Sequence, residues 1–98
     1  MQKIPLSTIP NQRLRATLND NDWELTIKVA RQMMCCDIKR NDNMLIQGIR
    51  VMPNQPLIPY RYLSGIGNFA FITDNGELPW WELFGKTQYL VWRSSDDD

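Results

Sequence analysis

The sequence predicts an all-β domain: a small antiparallel barrel or two-sheet sandwich of about seven strands. Three observations lead there. Apolar and polar residues alternate strictly over 12–18 and again over 23–30, the period of a half-buried strand. Clusters of Asn and Asp, at 19–22 and 41–43, fall where such strands must turn. Pro53, Pro56 and Pro59 recur every third residue and separate a polar β-rich half from an aromatic one. Each proline lacks an N–H and fixes φ, so this stretch predicts a stiff extended crossing between two small sheets that share a core.

In chain order, residues 1–11 form an extended leader, since Pro5 and Pro10 exclude a helix and its apolar residues can lie along the body. Leu14, Ala16 and Leu18 then share one face of a strand, with Arg13, Arg15 and Thr17 on the other. The turn at 19–22 leads into Trp23, Leu25, Ile27 and Val29, which complete a hairpin. Residues 33–40 make a third strand with Met34, Cys36 and Ile38 on one face, and residues 44–51 a fourth, where Gly48 suggests a bulge or a close backbone approach. A helix over 22–40 competes, because Leu25, Val29, Met33 and Cys36 also fit helical spacing. The β-branched residues and flanking Asn/Asp clusters favour strands. Beyond the crossing, 60–63 reads as a short strand, 68–73 as another, Asn75-Gly76 as tight-turn chemistry, and 88–93 as the last strand. Residues 94–98, Ser-Ser-Asp-Asp-Asp, read as a disordered acidic tail.

The 98 residues are one domain's worth of chain, able to bury roughly 65% of its unfolded surface. No apolar run is long enough to span a bilayer, and the early prolines break any secretory signal, so the chain reads as made in a cytoplasm. Eleven basic residues balance eleven acidic ones, which argues against binding driven chiefly by phosphate neutralisation and suits packing against other proteins. Adjacent Cys35 and Cys36 lack zinc-knuckle spacing, and a strand points them to opposite faces.

No constellation for catalysis assembles. Histidine is absent, which removes the commonest general base and nitrogen ligand. Gly65 and Gly67 lack the third glycine, the helix and the Lys-Ser/Thr pair of a phosphate cradle. Glu77 and Glu82 as a hydrolytic pair need a sugar-sized cleft, and Asp20 with Asp22 lacks the rest of a calcium loop. The sequence therefore points to a non-enzyme with no catalytic, cofactor or metal site.

The unusual feature is aromatic: Trp80, Trp81 and Phe84, together with Tyr60 and Tyr62 around Arg61. One tryptophan and Phe84 can cap the core. Two consecutive tryptophans in an extended chain cannot both face inward, so at least one lies near the surface, where Trp and Arg favour binding. Protein-interface candidates are thus Tyr60, Arg61, Tyr62, Trp80, Trp81 and Phe84. The alternative is a small β-barrel module for single-stranded nucleic acid or peptide, with these aromatics as stacking platforms beside Arg13, Arg15, Arg50 and Arg61.

Several motifs in order, Ile4-Pro5-Leu6-Ser7, Ile9-Pro10-Asn11-Gln12, Gln47-Gly48 with Arg50, Gln55-Pro56-Leu57, Pro59 to Leu63, Gly67-Asn68-Phe69, and Trp81-Glu82 with Phe84-Gly85 and Thr87, run from Ile4 to about Arg93. Together they resemble the baseplate plug proteins of contractile-tailed phages (myophages), typified by a cyanophage plug. Residues 23–44 carry little of the likeness, and the paired cysteines depart from it. The resemblance implies a virion structural protein with a barrel-like β fold, no enzymatic activity and no cofactor. It implies assembly in the host cytoplasm and a place at the central hub of the tail baseplate, in several copies around the tail axis. Partners would be hub and tail tube proteins and the tape measure protein, with nucleic acid met only by passage and no membrane involved. The proline crossing with Tyr60 to Tyr62, and the 80–84 loop, would be the contact elements.

Overall fold

Tight turns organise the first half of the chain. In the computed structural model, which describes residues 2–59 and 67–94, the pairs Asn19-Asp20, Arg31-Gln32 and Asn41-Asp42 all have positive φ at both positions. That is the condition for the two-residue turn whose twist matches antiparallel strands. These turns join β2 (Gln12–Leu18), β3 (Asn21–Ala30), β4 (Met33–Arg40) and β5 (Asn43–Arg50) into a four-stranded antiparallel sheet in that order. The competing helix is absent: its residues form β3 and β4, with Leu25 opposite Ile38 and Ile27 opposite Cys36.

Gly48 marks a bulge, as its position suggested. Cys36 pairs with Ile49 and Ile38 with Ile46, so Gln47 and Gly48 together oppose Asp37. Glycine is required by φ = +66°, since a Cβ there would meet nothing within 4 Å. The Gly48 N–H donates to Asp37 Oδ1 at 2.6 Å, satisfying a donor that the bulge removes from the ladder.

A three-stranded sheet, in the order β1 (Gln2–Ile4), β7 (Tyr89–Ser94), β6 (Gly67–Ile72), faces the first. The leader is therefore not wholly free of the sheets, because its first residues pair with β7, Gln2 opposite Trp92 and Ile4 opposite Leu90. The expected strand at 60–63 lies outside the described residues. Two separate antiparallel sheets without closure make this a sandwich rather than a barrel.

Alternation along each strand builds the core. Trp23, Leu25, Ile27, Met34, Cys36 and Ile38 enter from the larger sheet, and Phe69, Phe71, Leu90 and Trp92 from the smaller, all buried. Trp23, Phe69 and Trp92 form a three-ring cluster across the gap, with centroids 4.9–5.3 Å apart. Each large side chain buried this way contributes about 1.5–3 kcal/mol. Gly67 is explained by close approach, since a Cβ there would collide with the Trp92 ring.

The proline crossing behaves as a surrogate edge strand. Asn54 N–H donates to Phe71 O and Leu57 N–H to Phe69 O, both at 2.8 Å, while Leu57 and Ile58 enter the core. Asn68 holds both backbone groups of Ile58, and Asn54 Oδ1 accepts from Thr73 N–H. The crossing bends at Asn54, where φ is +56°.

The larger sheet's outer face is polar. Glu24 lies between Arg15 (3.0 Å) and Lys39 (3.7 Å), and Lys28 pairs with Asp37 at 3.1 Å. The hydrogen bond from Arg15 holds the Glu24 carboxyl below its usual range. Cys35 and Cys36 are both free and point to opposite faces, Cys36 fully buried.

Candidate contact loop

Residues 73–88, between β6 and β7, carry the aromatic group. The chain leaves β6 through a short 3-10 turn (Asp74–Gly76) in which Asn75 and Gly76 take positive φ. The Asn-Gly pair thus turns the chain as expected, but it opens a long loop rather than joining paired strands directly. Trp80 is extended and starts a second 3-10 turn (Trp81–Leu83), closed by Leu83 N–H to Trp80 O at 3.0 Å and Phe84 N–H to Trp81 O at 3.2 Å.

Gln88 holds this loop in place. Although polar, it is completely buried. Its Oε1 accepts from Trp80 N–H at 2.8 Å and its Nε2 donates to Leu78 O at 3.1 Å. The side-chain amide thereby mimics a strand backbone on both sides of Pro79. Leu83 O accepts from the N–H groups of Lys86, Thr87 and Gln88, and Gly85, at φ = +77°, returns its N–H to Gln88 O. Thr8 Oγ1 donates to Phe84 O at 3.1 Å, tying the leader to the loop.

The three aromatic side chains of the loop separate by role. Phe84 is buried and stacks on Phe71 with centroids 5.4 Å apart, so its ring serves the core. Trp80 and Trp81 are both half-buried, at 6.2 Å and tilted by 42°, and Trp80 Nε1 donates to Glu82 Oε1 at 2.9 Å. Leu78, 53% exposed, extends the apolar surface beside them. Tyr60, Arg61 and Tyr62 lie outside the described residues, so their position relative to the loop is not described.

A small concavity borders the loop. Leu78, Pro79 and Trp80 lean toward Met33 and Arg50 over a cleft of about 90 Å³, well below the volume of an ordinary small-molecule pocket. Among the described residues, no three His, Cys, Asp or Glu side chains cluster as a metal site, and no helix is long and apolar enough to cross a membrane. Arg13, Arg15 and Arg50 do share the outer face of the larger sheet, but Glu24 and Asp37 lie between them in the register.

A family model described as cyanophage baseplate Pam3 plug gp18 matches residues 1–95. The chain belongs to the cyanophage baseplate plug family. No curated protein matches it. Membership bears out the resemblance read from Ile4 to Arg93, and it makes a structural part in a phage baseplate the frame for the loop. Within this plug-family chain the sequence reading did not single out Gln88. Its one local signal is a glutamine at the head of an apolar strand, ten residues after Leu78.

Proposed function

We propose that the chain is a non-enzymatic plug at the central hub of a phage tail baseplate, packing beneath the tail tube and narrowing its channel through protein-protein contacts. The observation that carries this reading is the half-buried Trp80-Trp81 pair, held on a loop that buried Gln88 fixes from both sides. A rigid aromatic surface loses little conformational freedom on association, which makes such residues efficient anchors. Phe84 sets the position of the loop from within the core. Tyr60, Arg61 and Tyr62 belong to the same proposed contact set, on the strength of their residue types beside the proline crossing. Hub, tube and tape measure proteins are the partners that fit, with several copies arranged around the tail axis in the virion.

The alternative reading, a single-strand nucleic-acid module, asks for an uninterrupted basic stripe. The arginines available on the larger sheet are interleaved with carboxylates, and Arg15 is already paired with Glu24. The plug reading is therefore the better supported.

Co-purification of the tagged chain with the hub and tube proteins of its own phage tests it. The wild type is expected to associate stably, and Trp80→Ala/Trp81→Ala to lose that association while keeping its β-sheet circular dichroism spectrum. Association undiminished in the folded double variant would move the interface elsewhere. Failure of the wild type to bind any tail protein, with tight oligonucleotide binding instead, would sink the plug reading.

A further inference from the structure

Each sheet edge invites another strand unless something blunts it. Three of the four edges here are blunted by visible means. The β6 edge is occupied by the proline crossing, β1 has only three residues, and β5 is broken by the register shifts around Gly48. The fourth edge, β2, is different. It runs seven residues with an unbroken register against β3 and contains neither proline nor glycine, and among the described residues nothing hydrogen-bonds its outer side.

The direction of its free groups follows from the hairpin. A two-residue turn makes the flanking pair, Leu18 and Asn21, the hydrogen-bonded one, and pairing then alternates along the strand. Arg13, Arg15 and Thr17 therefore aim their N–H and C=O groups away from β3. Their side chains are exposed, Arg15 at 77%. On the core side Leu14 and Ala16 are left half-exposed, whereas Leu25 and Ile27 one strand inward are fully buried.

We propose that β2 accepts an extended segment from a different protein chain by strand addition, and that the segment alternates acidic and apolar residues. The acidic positions would face Arg13 and Arg15, the latter 77% exposed and shared with Glu24, and the apolar ones would complete the cover over Leu14 and Ala16. A second copy of this chain fits poorly. Full-length antiparallel pairing of β2 with itself sets Arg15 opposite Arg15, and like charges directly opposite are destabilising. This inference concerns an edge distinct from the Trp80-Trp81 loop, so the two stand or fall separately.

The test is an amide titration by NMR with a millimolar seven-residue peptide alternating glutamate and valine, beside a lysine-valine control. Shifts and slowed hydrogen exchange are expected at Arg13, Arg15 and Thr17 with the acidic peptide only. Arg15→Thr, which removes the charge but keeps the N–H, should weaken binding roughly three- to tenfold. Arg15→Pro should abolish it while the β2–β3 ladder survives, because the lost donor is not used inside the sheet. Arg15→Thr also removes the Arg15–Glu24 pair, so the comparison isolates the backbone donor. Equal binding by Arg15→Pro, shifts located away from β2, no shifts at all, or protection at β2 that grows with protein concentration alone would each overturn the proposal.

Discussion

Gln88 shows how much of the loop depends on a single side chain. Replacing it by leucine keeps much of its volume but leaves Trp80 N–H and Leu78 C=O without partners. Gln88→Leu is expected to lower stability by about 1–3 kcal/mol in urea unfolding, with Trp fluorescence of the native state altered. A change confined to a few tenths of a kcal/mol would mean that water replaces the amide. Cys36 is the other informative residue. Burial, reinforced by nearby Asp37, pushes its thiol up to about 12 from an ordinary 9.0. The unfolded chain therefore releases this proton first, so the stabilisation from the buried neutral thiol is complete below pH 9.0 and is lost as pH rises through that window. The slope should be about 1.4 kcal/mol per pH unit and absent in Cys36→Ala, as followed by urea midpoints at alkaline pH. A thiol reagent at neutral pH should reach Cys35 but not Cys36 until the chain is unfolded.

At the level of elements, legibility tracked the length and chemistry of each segment. β2 and β3 were plain because seven and ten residues give the period-two pattern room to repeat, and because Asn19-Asp20 suits left-handed φ. β1 was hidden, since three residues carry no period and its strand character comes only from the waiting edge of β7. The turn at Arg31-Gln32 was hidden too, because neither residue is a turn former and the flanking strands impose φ of 51° and 63°. That imposition has a measurable cost. Arg31→Asn/Gln32→Gly should raise stability by about 1–2 kcal/mol without moving the register, as read from the urea midpoint. In the loop of residues 73–88 the two tryptophans were legible as a pair that an extended chain cannot bury whole. Gln88 was not, because a polar residue gives no sign that its partners are backbone groups eight and ten residues away.

For the molecule as a whole, the two sheets meet through few but large rings. Trp23 touches both Phe69, edge-on, and Trp92, so it is the one residue of the larger sheet packed against two aromatic rings of the smaller. Trp23→Ala should remove about 3–5 kcal/mol, a large share of the 5–15 kcal/mol typical of a domain, and leave a sheet-rich but loosely packed state detectable by weakened near-ultraviolet dichroism. A sharp native spectrum in that variant would show that the sheets are held together elsewhere. The choice between sandwich and barrel was open in the sequence because alternation states which face is buried, not how edges are closed.

The pairing of Gln2 with Trp92 also bears on the order of events during synthesis. The four-stranded sheet is made of neighbouring hairpins and needs only the first half of the chain, so it can form while the ribosome is still adding residues. The smaller sheet cannot. β1 emerges first yet must wait for β7, its only sheet neighbour among the described residues, and until then the apolar side of the larger sheet faces water. A plug folded this way matures in one late step, and a nascent chain halted before β7 would be the form most exposed to aggregation and chaperone capture.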